Sequence, residues 1–477
     1  MRKDMNMKKW KRWMVTGLSA AMLLSVGGCG KDKSDDASEE GSSSVAEFNR
    51  DSDAVKQKTK TIEDIIDKNF YYNIDPAKQE EAYYDSLIGG LDDKYAQYYT
   101  PEEFARTKED DDGEYVGIGA TVAQNMDTGA VYVVEPMRGS PAIEAGLLPE
   151  DVFVEIDGVE LTSEMELEGV VEMIRGSENS TAHLKMYREG TGYMEFDVPR
   201  RVVQHITVDY EMMENQVGYI RISQYVQTTY PQFKEAVDTL TGQGAKALIL
   251  DVRNNPGGLT DIVDKMVDYL VEDKQVPEGG DPNKPGLILE MRNKNEQVLY
   301  SDYTSDGHSV DLPMAVLMNG NSASSAEIFI GCLRDYKKAV TVGTKSYGKG
   351  IVQQTFPLSD GSGIKLTIAK YFLPAGSNVH ETGIEPDVEI DMELEKRRNI
   401  SALKHNEDPQ LIKALEELGM DPLPAPEETT EEKKETTEAT EQKPEETTES
   451  TEEQTEEQTE EEIEEETEEE TEEETEE

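Results

Sequence analysis

Three serines stand close together where the chain is expected to change from strand to helix. The segment reads MNGNSASSAEIFIGCLRDY, in which an apolar strand ends near Met318 and a helix begins around Ser322–Ser325. A serine at such a turn has backbone N–H groups and the positive end of the helix dipole beside it, an arrangement that suits a developing oxyanion. The alternative is that these serines only cap the helix and permit close packing.

A lysine between two glycines follows in the segment GTKSYGKGIVQQ. The glycines let the backbone approach Lys349 closely, and Ile351 and Val352 supply apolar surroundings. A lysine acts as a general base only when neutral, so its pKa must fall by about three units, roughly 4 kcal/mol of differential solvation. Burial could achieve this, and Gln353 could orient the amine. The alternative is a solvated loop lysine.

Other hydrolytic chemistries find little support in the sequence. The histidines are His183, His205, His308, His380 and His405. Only His380, in GSNVHETGIEP, has suggestive neighbours, and no Gly-x-Ser-x-Gly elbow exists. No histidine pair has the spacing of metal ligands. We therefore expect no metal and no cofactor, with His380 and Lys345 as the next candidate bases if Lys349 is not the base.

The charge of the chain narrows the class of partner. Its 477 residues carry a formal net charge of −55, and residues 427–477 contain 28 glutamates against 3 lysines. The stretch between the termini is also strongly acidic, which disfavours nucleic acid because phosphate binding needs a basic face. The two cysteines, Cys29 and Cys332, cannot frame a disulfide-rich fold.

The N-terminus has the pattern of an export signal. Residues 1–12 are basic, and Met14–Gly28 is an uncharged run too short for a stable membrane span. It ends in SVGGC, which resembles the lipobox of bacterial lipoproteins. That resemblance implies cleavage before Cys29, lipidation of Cys29 and anchoring at the outer face of the cytoplasmic membrane. An ordinary secretory signal with an incidental cysteine is the alternative.

Hydrophobic periodicity predicts three folded regions between polar ends. Asp51–Asp92 has helical spacing broken at Pro76. From Tyr115 short strand-like runs alternate with turns and one helix. Strands and helices alternate over Arg200–Met392, which predicts an α/β layer fold. The runs are Val116–Val122, Ala130–Val134, Val152–Ile156, Ala182–Tyr187, Val217–Ile222, Ala247–Asp251, Met314–Met318 and Val340–Val342, and the helices are Met165–Arg175, Pro231–Leu240, Thr260–Leu270 and Ser324–Tyr336. Glu272–Asp311 could not be assigned.

The middle region contains YVGIGA followed by GSPAIEAGLLPEDVFVEIDG, and this pattern resembles a PDZ domain of the kind associated with bacterial proteases. The resemblance implies that a peptide adds a strand to a sheet edge and that a loop captures its free C-terminal carboxylate. The carboxylate loop would be formed by Gly117, Ile118, Gly119 and Ala120. Gly-x-Gly alone would indicate only a tight strand entry.

Three further segments, LILDVRNNPGGL, NSASSAEIF and KSYGKGIVQQ, follow in that order. Together with the PDZ-like region they resemble the carboxy-terminal processing (tail-specific) peptidases. The resemblance implies a ClpP/crotonase-like α/β core, with Ser324 as nucleophile, Lys349 as base and Gln353 as its support. Backbone amides of Gly257 or Gly258 and of Ser325 would form the oxyanion hole.

The match departs from the family pattern at one point. The usual Ser-Ala-Ser-Ala-Ser-Glu reads SASSAE here, which leaves Ser325 as a competing nucleophile candidate. The resemblance further implies that Glu327 is structural and that Arg175 couples peptide binding to the protease.

The predicted layout is a multidomain protein whose segments are a signal peptide (1–28), a lipidated tether (29–50), a helical N-terminal region (51–105), a PDZ-like domain (106–199), a protease core (200–395), a helical extension (396–422) and a disordered Glu/Thr-rich tail (423–477). The predicted function is a serine endopeptidase that cleaves extracytoplasmic proteins near free, apolar C-termini. The alternatives are a membrane-tethered PDZ scaffold with an inactive core and a lipid-anchored hydrolase of another acyl substrate. A homodimer is possible, because a small helical region usually packs on a neighbour.

Overall fold

The computed structural model describes residues 49–126, 128–272, 274–299 and 303–424. The predicted signal peptide, the lipidated Cys29, nearly all of the tether and nearly all of the acidic tail lie outside these residues. Within them, no helix is both long enough and apolar enough to cross a membrane.

The N-terminal region begins with helices, as predicted. Helix α1 (Asp53–Asn69) belongs to a separate compact unit that ends at Pro76. Ser52 caps it by accepting the N–H of Val55, and none of its described side chains is buried. The exposed side chains of α1 do not identify what this helix packs against, so the predicted homodimer stays a prediction.

The second unit begins at Ala77, the second residue of α2 (Pro76–Gly89), and continues with β1 (Gln97–Tyr99) and α3 (Pro101–Asp112). Thr100 caps α3 in a capping box with Glu103, and Gly113 ends the helix in the left-handed region. The predicted boundary between residues 105 and 106 thus falls inside a single helix.

The PDZ domain is a curled antiparallel sheet with two short helices. Its elements are β2 (Glu114–Gly117), β3 (Ala120–Gln124), β4 (Val131–Pro136), α4 (Pro141–Ala145), β5 (Val152–Ile156), β6 (Val159–Glu160), α5 (Leu167–Ile174), β7 (Thr181–Arg188), β8 (Gly192–Pro199) and β9 (Arg201–Gln204). The sheet order is β3-β4-β5-β7-β8, with β6 on β5, while β2 pairs with β9. Ile118, Val133, Phe153 and Leu184 are among the buried side chains of its core.

The predicted run Val116–Val122 is not one strand. It is divided into β2 and β3 because Gly119 has a φ of 75°, and a Cβ at that position would lie 2.4 Å from the Cβ of Ser140. This close approach requires glycine, since other residues rarely adopt such a φ.

The protease core contains the remaining elements. They are β10 (Val208–Met212), β11 (Val217–Ile222), α6 (Thr229–Gly242), β12 (Ala247–Asp251), α7 (Thr260–Asp268), β13 (Leu287–Arg292), β14 (Tyr303–Thr304), β15 (Met314–Met318), α8 (Ser325–Asp335), β16 (Ala339–Gly343), β17 (Ile351–Pro357), β18 (Gly363–Phe372), β19 (Val388–Glu389), α9 (Leu394–Arg398) and α10 (Pro409–Glu417). The unassigned segment Glu272–Asp311 supplies β13 and β14.

Two sheets build this core. One has the order β10-β11-β12-β15-β16-β19, and all its neighbours except β10 and β11 are parallel. The other has the order β1-β18-β13-β14, with β17 also on β18. β12 and β15 are buried at every residue, as expected for parallel strands covered on both faces.

Helices cover the two faces of the parallel sheet. Residues of α6, α7 and α8 pack on one face. On the other, Leu411, Ala414 and Leu415 of α10 pack against Ala247 and Leu317. Each fully buried leucine contributes about 1.5–3 kcal/mol, so the helical extension is an integral part of the core.

Candidate active site

The turn between β15 and α8 places Ser324 in an unusual backbone conformation. Its φ is 56° and its ψ is −119°. Such a conformation costs about 1–3 kcal/mol in a non-glycine residue and persists only where surrounding contacts enforce it. Here the Ala323 N–H donates to the Asn255 carbonyl at 3.0 Å, and the Glu327 N–H donates to the Ser324 carbonyl at 2.8 Å.

The three serines of this turn differ in what their hydroxyls do. Ser322 is buried and donates to the Val252 carbonyl at 2.8 Å. Ser325 is also buried and donates to the Gly258 carbonyl at 2.8 Å. Ser324 is half-buried, and its hydroxyl donates to no acceptor in the described part of the chain. Of the three, Ser324 alone therefore has a hydroxyl available for attack.

The loop after β12 lies directly against this serine. Gly257 has a φ of 103°, and a Cβ there would lie 2.7 Å from the Ser324 Cβ and 3.0 Å from the Ser325 nitrogen. Its N–H already donates to Asn255 Oδ1 at 2.8 Å. The N–H groups of Gly258 and Ser325 donate to no acceptor among the residues that the structure describes. These two amides are the better candidates for the predicted oxyanion hole.

The carboxylate of Glu327 connects the serine turn to the lysine loop. This fully buried group accepts the N–H of Ser324 at 3.0 Å, of Gly348 at 2.7 Å and of Lys349 at 2.7 Å. It also accepts the hydroxyl of Ser346 at 2.5 Å. Hydrogen bonds to a buried charge are stronger than neutral ones, so Glu327 fixes the backbone of the nucleophile relative to that of the lysine.

The side chain of Lys349 is half-buried, and burial is the largest cause that lowers its pKa. The neighbouring charge of Lys365 lowers that pKa further. The ammonium group lies 4.7 Å from the ring centroid of Tyr95. In the described residues it forms no hydrogen bond with the Ser324 hydroxyl. The pKa shift has the direction that a neutral lysine base requires.

Gln353 lies on β17, and its side-chain amide donates to Thr367 Oγ1 at 3.2 Å. The expected contact between Gln353 and Lys349 is not formed in this conformation, so the supporting role of Gln353 stays a prediction.

The two alternative bases are placed differently. Lys345 is exposed and forms an ion pair with Glu385 at 2.8 Å. His380 lines a cavity of about 800 Å³ together with Lys94, Tyr95 and Tyr347. Its Nδ1 is buried and has no hydrogen-bond partner in the described part of the chain. His380 is therefore the stronger of the two.

The predicted carboxylate loop lies between β2 and β3. The carbonyls of Ile118 and Gly119 accept the N–H groups of Ala142 and Met137 at 2.8 and 2.9 Å. The N–H groups of Ile118 and Gly119 find no acceptor within the described ranges. The outer edge of β3 is also unpaired among the described strands. The loop thus presents N–H donors beside an unpaired sheet edge. Gly117 and Ala120 are the adjacent strand residues.

Arg175 follows α5 and points toward α3. Its guanidinium contacts Glu109 at 3.2 Å and lies 5.2 Å from the Tyr115 ring centroid. Arg106 of α3 pairs in turn with Glu168 at 2.6 Å. These partly exposed pairs contribute up to about 1 kcal/mol each. They link the PDZ helix to the segment that leads into β2.

A buried ionic network lies under the loop after β12. Arg253 contacts Asp251 at 2.6 Å and Asp408 at 2.7 Å, and it donates to Gln410 at 3.0 Å. Tyr219 donates its hydroxyl to Asp251 at 2.6 Å. Burial alone would raise the pKa of Asp251, but Arg253 outweighs it and holds that pKa below the usual range. The C-terminal extension thereby fixes the segment that leads to the glycines.

Comparison with known proteins agrees with this geometry. The model of peptidase family S41 matches residues 216–390, and a PDZ domain model matches residues 132–188. A probable CtpA-like serine protease of Staphylococcus aureus (strain N315) is 32% identical over 375 residues, which cover 78% of this chain and 73% of that protein. The chain belongs to peptidase family S41. It is a serine peptidase.

Two further similarities were found. A probable CtpA-like serine protease of Staphylococcus haemolyticus is 34% identical over 338 residues, or 70% of this chain and 65% of that protein. The solved structure of a photosystem II D1 C-terminal processing protease has a TM-score of 0.41 and 26% identity, and covers 70% of this chain and 86% of that one.

Sequence reasoning predicted the structural role of Glu327 but not its link to the lysine loop, and it missed the buried network of Arg253 in this S41 peptidase. Glu327 was predicted only as structural, although its position three residues after Ser324 is that of a capping carboxylate. Arg253 carried a clearer signal, since two charges at the end of a fully apolar strand indicate a buried ion pair. Nothing in the local sequence identified Asp408 as their partner.

Proposed function

We propose that Ser324 is the nucleophile and Lys349 the general base of an endopeptidase that cleaves proteins near free C-termini. The observation that carries this proposal is the backbone of Ser324. This backbone has a positive φ, and among the described residues the Ser324 hydroxyl donates to no acceptor and the N–H groups of Gly258 and Ser325 have none either. Glu327 joins the serine turn to Lys349, whose pKa is lowered by burial.

The reaction is acyl transfer. Neutral Lys349 takes the proton of Ser324 Oγ as this oxygen attacks the peptide carbonyl, and the N–H groups of Gly258 and Ser325 bind the oxyanion. Lys349 returns the proton to the leaving amine as the C–N bond breaks. It then deprotonates water, which attacks the acyl-enzyme ester and regenerates Ser324.

The PDZ domain selects the substrate. A peptide that adds to the outer edge of β3 would place its terminal carboxylate at the N–H groups of Ile118 and Gly119. The ion pair of Arg175 with Glu109 lies at the end of α5, where a bound tail would contact the domain. Arg175 is therefore the residue through which binding of a tail would affect the position of α3.

The N-terminal sequence supports action outside the cytoplasm. A basic segment, an uncharged run and Cys29 follow one another as in an exported lipoprotein. A lipid on Cys29 would hold the peptidase at the outer face of the membrane. Replacement of Cys29 by serine should release the protein from the membrane fraction, whereas unchanged membrane association would remove the anchor from this account.

The test compares cleavage of one unstructured substrate with a free apolar C-terminus and of the same substrate with an amidated C-terminus. The full chain, purified in detergent, is assayed as wild type, Ser324→Ala, Lys349→Met and, as matched control, Ser325→Ala. We expect a rate loss of about 10⁴-fold or more in the first two variants, a much smaller loss in Ser325→Ala, and a strong preference for the free C-terminus.

Each other outcome has a defined meaning. Equal cleavage of both substrates would contradict capture of the free C-terminus but would leave Ser324 and Lys349 as the proposed catalytic pair. Activity that survives in Ser324→Ala would contradict the nucleophile. Absence of both cleavage and labelling of Ser324 by a serine-reactive probe would favour a PDZ scaffold with an inactive core.

A further inference from the structure

A short segment that precedes the PDZ domain reaches the catalytic lysine. β1 pairs antiparallel with β18, with Gln97 opposite Lys365 and Tyr99 opposite Gly363. This pairing fixes the chain immediately before it. There Asp93 Oδ1 accepts the N–H of Tyr95 at 2.9 Å and stabilises a turn. The segment lies outside the ranges matched by the S41 and PDZ models.

The turn places the Tyr95 ring under the lysine. Lys349 Nζ lies 4.7 Å from the ring centroid, within the range of a cation–π interaction. Within the described residues, this ammonium group forms no ion pair and no hydrogen bond with any other side chain. The ring is therefore the main contact that defines where Lys349 Nζ lies in this conformation.

Charges near the lysine come from several elements. Lys365 of β18 and Lys94 of the turn disfavour the ammonium form of Lys349, whereas Tyr347 and Asp93 favour it. Lys94 lies 4.8 Å from the centroid of the same Tyr95 ring. The Tyr95 ring thus contacts two ammonium groups, and it supplies attraction where the neighbouring lysines supply repulsion.

We propose that Tyr95 is a positioning residue for the catalytic lysine, because its ring binds Lys349 Nζ between turnovers. This inference rests on the proposed role of Lys349 as base. When the amine loses its proton the attraction to the ring disappears, and rotation about the side-chain bonds brings the neutral amine to Ser324. The turn that precedes β1 then takes part in positioning the active-site lysine.

The Tyr95 ring should influence the pKa of Lys349 as well as the position of its amine. A ring face binds the ammonium form and not the neutral amine, so removing it should lower the pKa of Lys349 and move the acidic limb of the rate profile to lower pH. Phenylalanine keeps the ring face and removes only the hydroxyl. Leucine removes the face while keeping an apolar side chain of moderate size.

The experiment uses the full chain with Tyr95→Phe and Tyr95→Leu. The matched control is Tyr193→Leu, which removes an exposed ring of the PDZ domain that lies 5.8 Å from the ammonium of Lys185. For each variant, kcat/KM is measured across pH 6–10, and thermal unfolding confirms that the protein is folded.

A second readout does not depend on proteolysis. In a Ser324→Ala background, the reactivity of Lys349 toward acetic anhydride is measured against pH by mass spectrometry. This titrates the amine whether or not it acts as the base. Failure of the catalytic proposal and failure of the Tyr95 proposal are therefore distinguishable.

For Tyr95→Leu we expect a downward shift of the titration midpoint by about half a pH unit in both readouts and a fall of kcat/KM of about tenfold. Tyr95→Phe should remain within about twofold of wild type, the change expected when the cation–π contact is kept. Three results would overturn the proposal. These are no shift in Tyr95→Leu, an equal loss in Tyr95→Phe, or the same shift in Tyr193→Leu.

Discussion

The two halves of the candidate site are held in different ways. On the nucleophile side, the backbone of Ser324 and the loop of Gly257 and Gly258 are enforced by buried hydrogen bonds, and Gly257 packs directly on the serine. On the side of the proposed base, Glu327 fixes the backbone of Lys349, whereas the ammonium group lies against the Tyr95 ring and forms no ion pair and no side-chain hydrogen bond among the described residues. Hydrogen bonds therefore hold the proposed nucleophile in place, whereas none holds the amine of the proposed base among the described residues.

This difference indicates where regulation can act. Rigid oxyanion donors stabilise charge without reorganisation at the moment of reaction. A lysine whose side chain is weakly held can instead be displaced or aligned at small energetic cost. Signals from the PDZ domain or from the N-terminal segment should therefore change the position of Lys349 rather than that of Ser324.

The largest expected effect is on the free energy of unfolding, through the buried ionic network under the loop of Gly257 and Gly258. Asp408→Asn removes one charge from the buried network of Arg253, and breaking a buried pair costs about 3–5 kcal/mol. Denaturant unfolding should show this loss. The control is Asp391→Asn, which breaks an exposed pair with Arg397 and should cost less than about 1 kcal/mol. Equal losses in the two variants would show that the network does not stabilise the core.

The next prediction concerns Glu327, which joins the serine turn to the lysine loop. Glu327→Gln keeps one acceptor oxygen but turns an NH2 donor toward the other two donors. Either the N–H groups of Ser324 and Lys349 or the Gly348 N–H and the Ser346 hydroxyl then lose their acceptor. We expect kcat to fall by about 10²-fold with little change in KM. Glu385→Gln, at an exposed ion pair, is the control. A wild-type kcat in Glu327→Gln would mean that each half is positioned independently.

A smaller effect is expected on the side of the proposed base. Gln353 donates to Thr367 and does not contact Lys349 in this conformation. Its predicted role is to orient the amine of Lys349 when that amine reaches Ser324. Loss of one such hydrogen bond in Gln353→Met should lower kcat/KM by about tenfold. Gln354→Met changes the adjacent residue of β17, whose side chain points to the opposite face, and is the matched control. A loss as large as that of Lys349→Met would assign Gln353 a direct part in proton transfer.

Sequence patterns predicted the elements whose signal is local. Ala247–Asp251 and Met314–Met318 were predicted with the bounds that the structure shows, because fully buried parallel strands are continuous apolar runs. Ser324 was placed at the strand–helix turn for the same reason. The α/β core, the PDZ domain and the peptidase family were also predicted correctly.

Long-range contacts could not be predicted in this way. β1 is three residues long and pairs with a strand more than 260 residues later, so no local period announces it. The contact of Tyr95 with Lys349 and the pair of Arg253 with Asp408 arise only when distant segments meet. The PDZ run Val116–Val122 was interpreted as continuous because the close approach at Gly119 depends on Ser140, which lies outside the run.

The most direct test of the central claim is the pH dependence of kcat/KM for wild type, Lys349→Met and His380→Gln. Burial and Lys365 lower the pKa of Lys349, so activity should rise with pH through a midpoint below the ordinary lysine value of 10.5. This limb should persist in His380→Gln and disappear, together with activity, in Lys349→Met. A limb that disappears in His380→Gln and persists in Lys349→Met would contradict the assignment of Lys349 as the base.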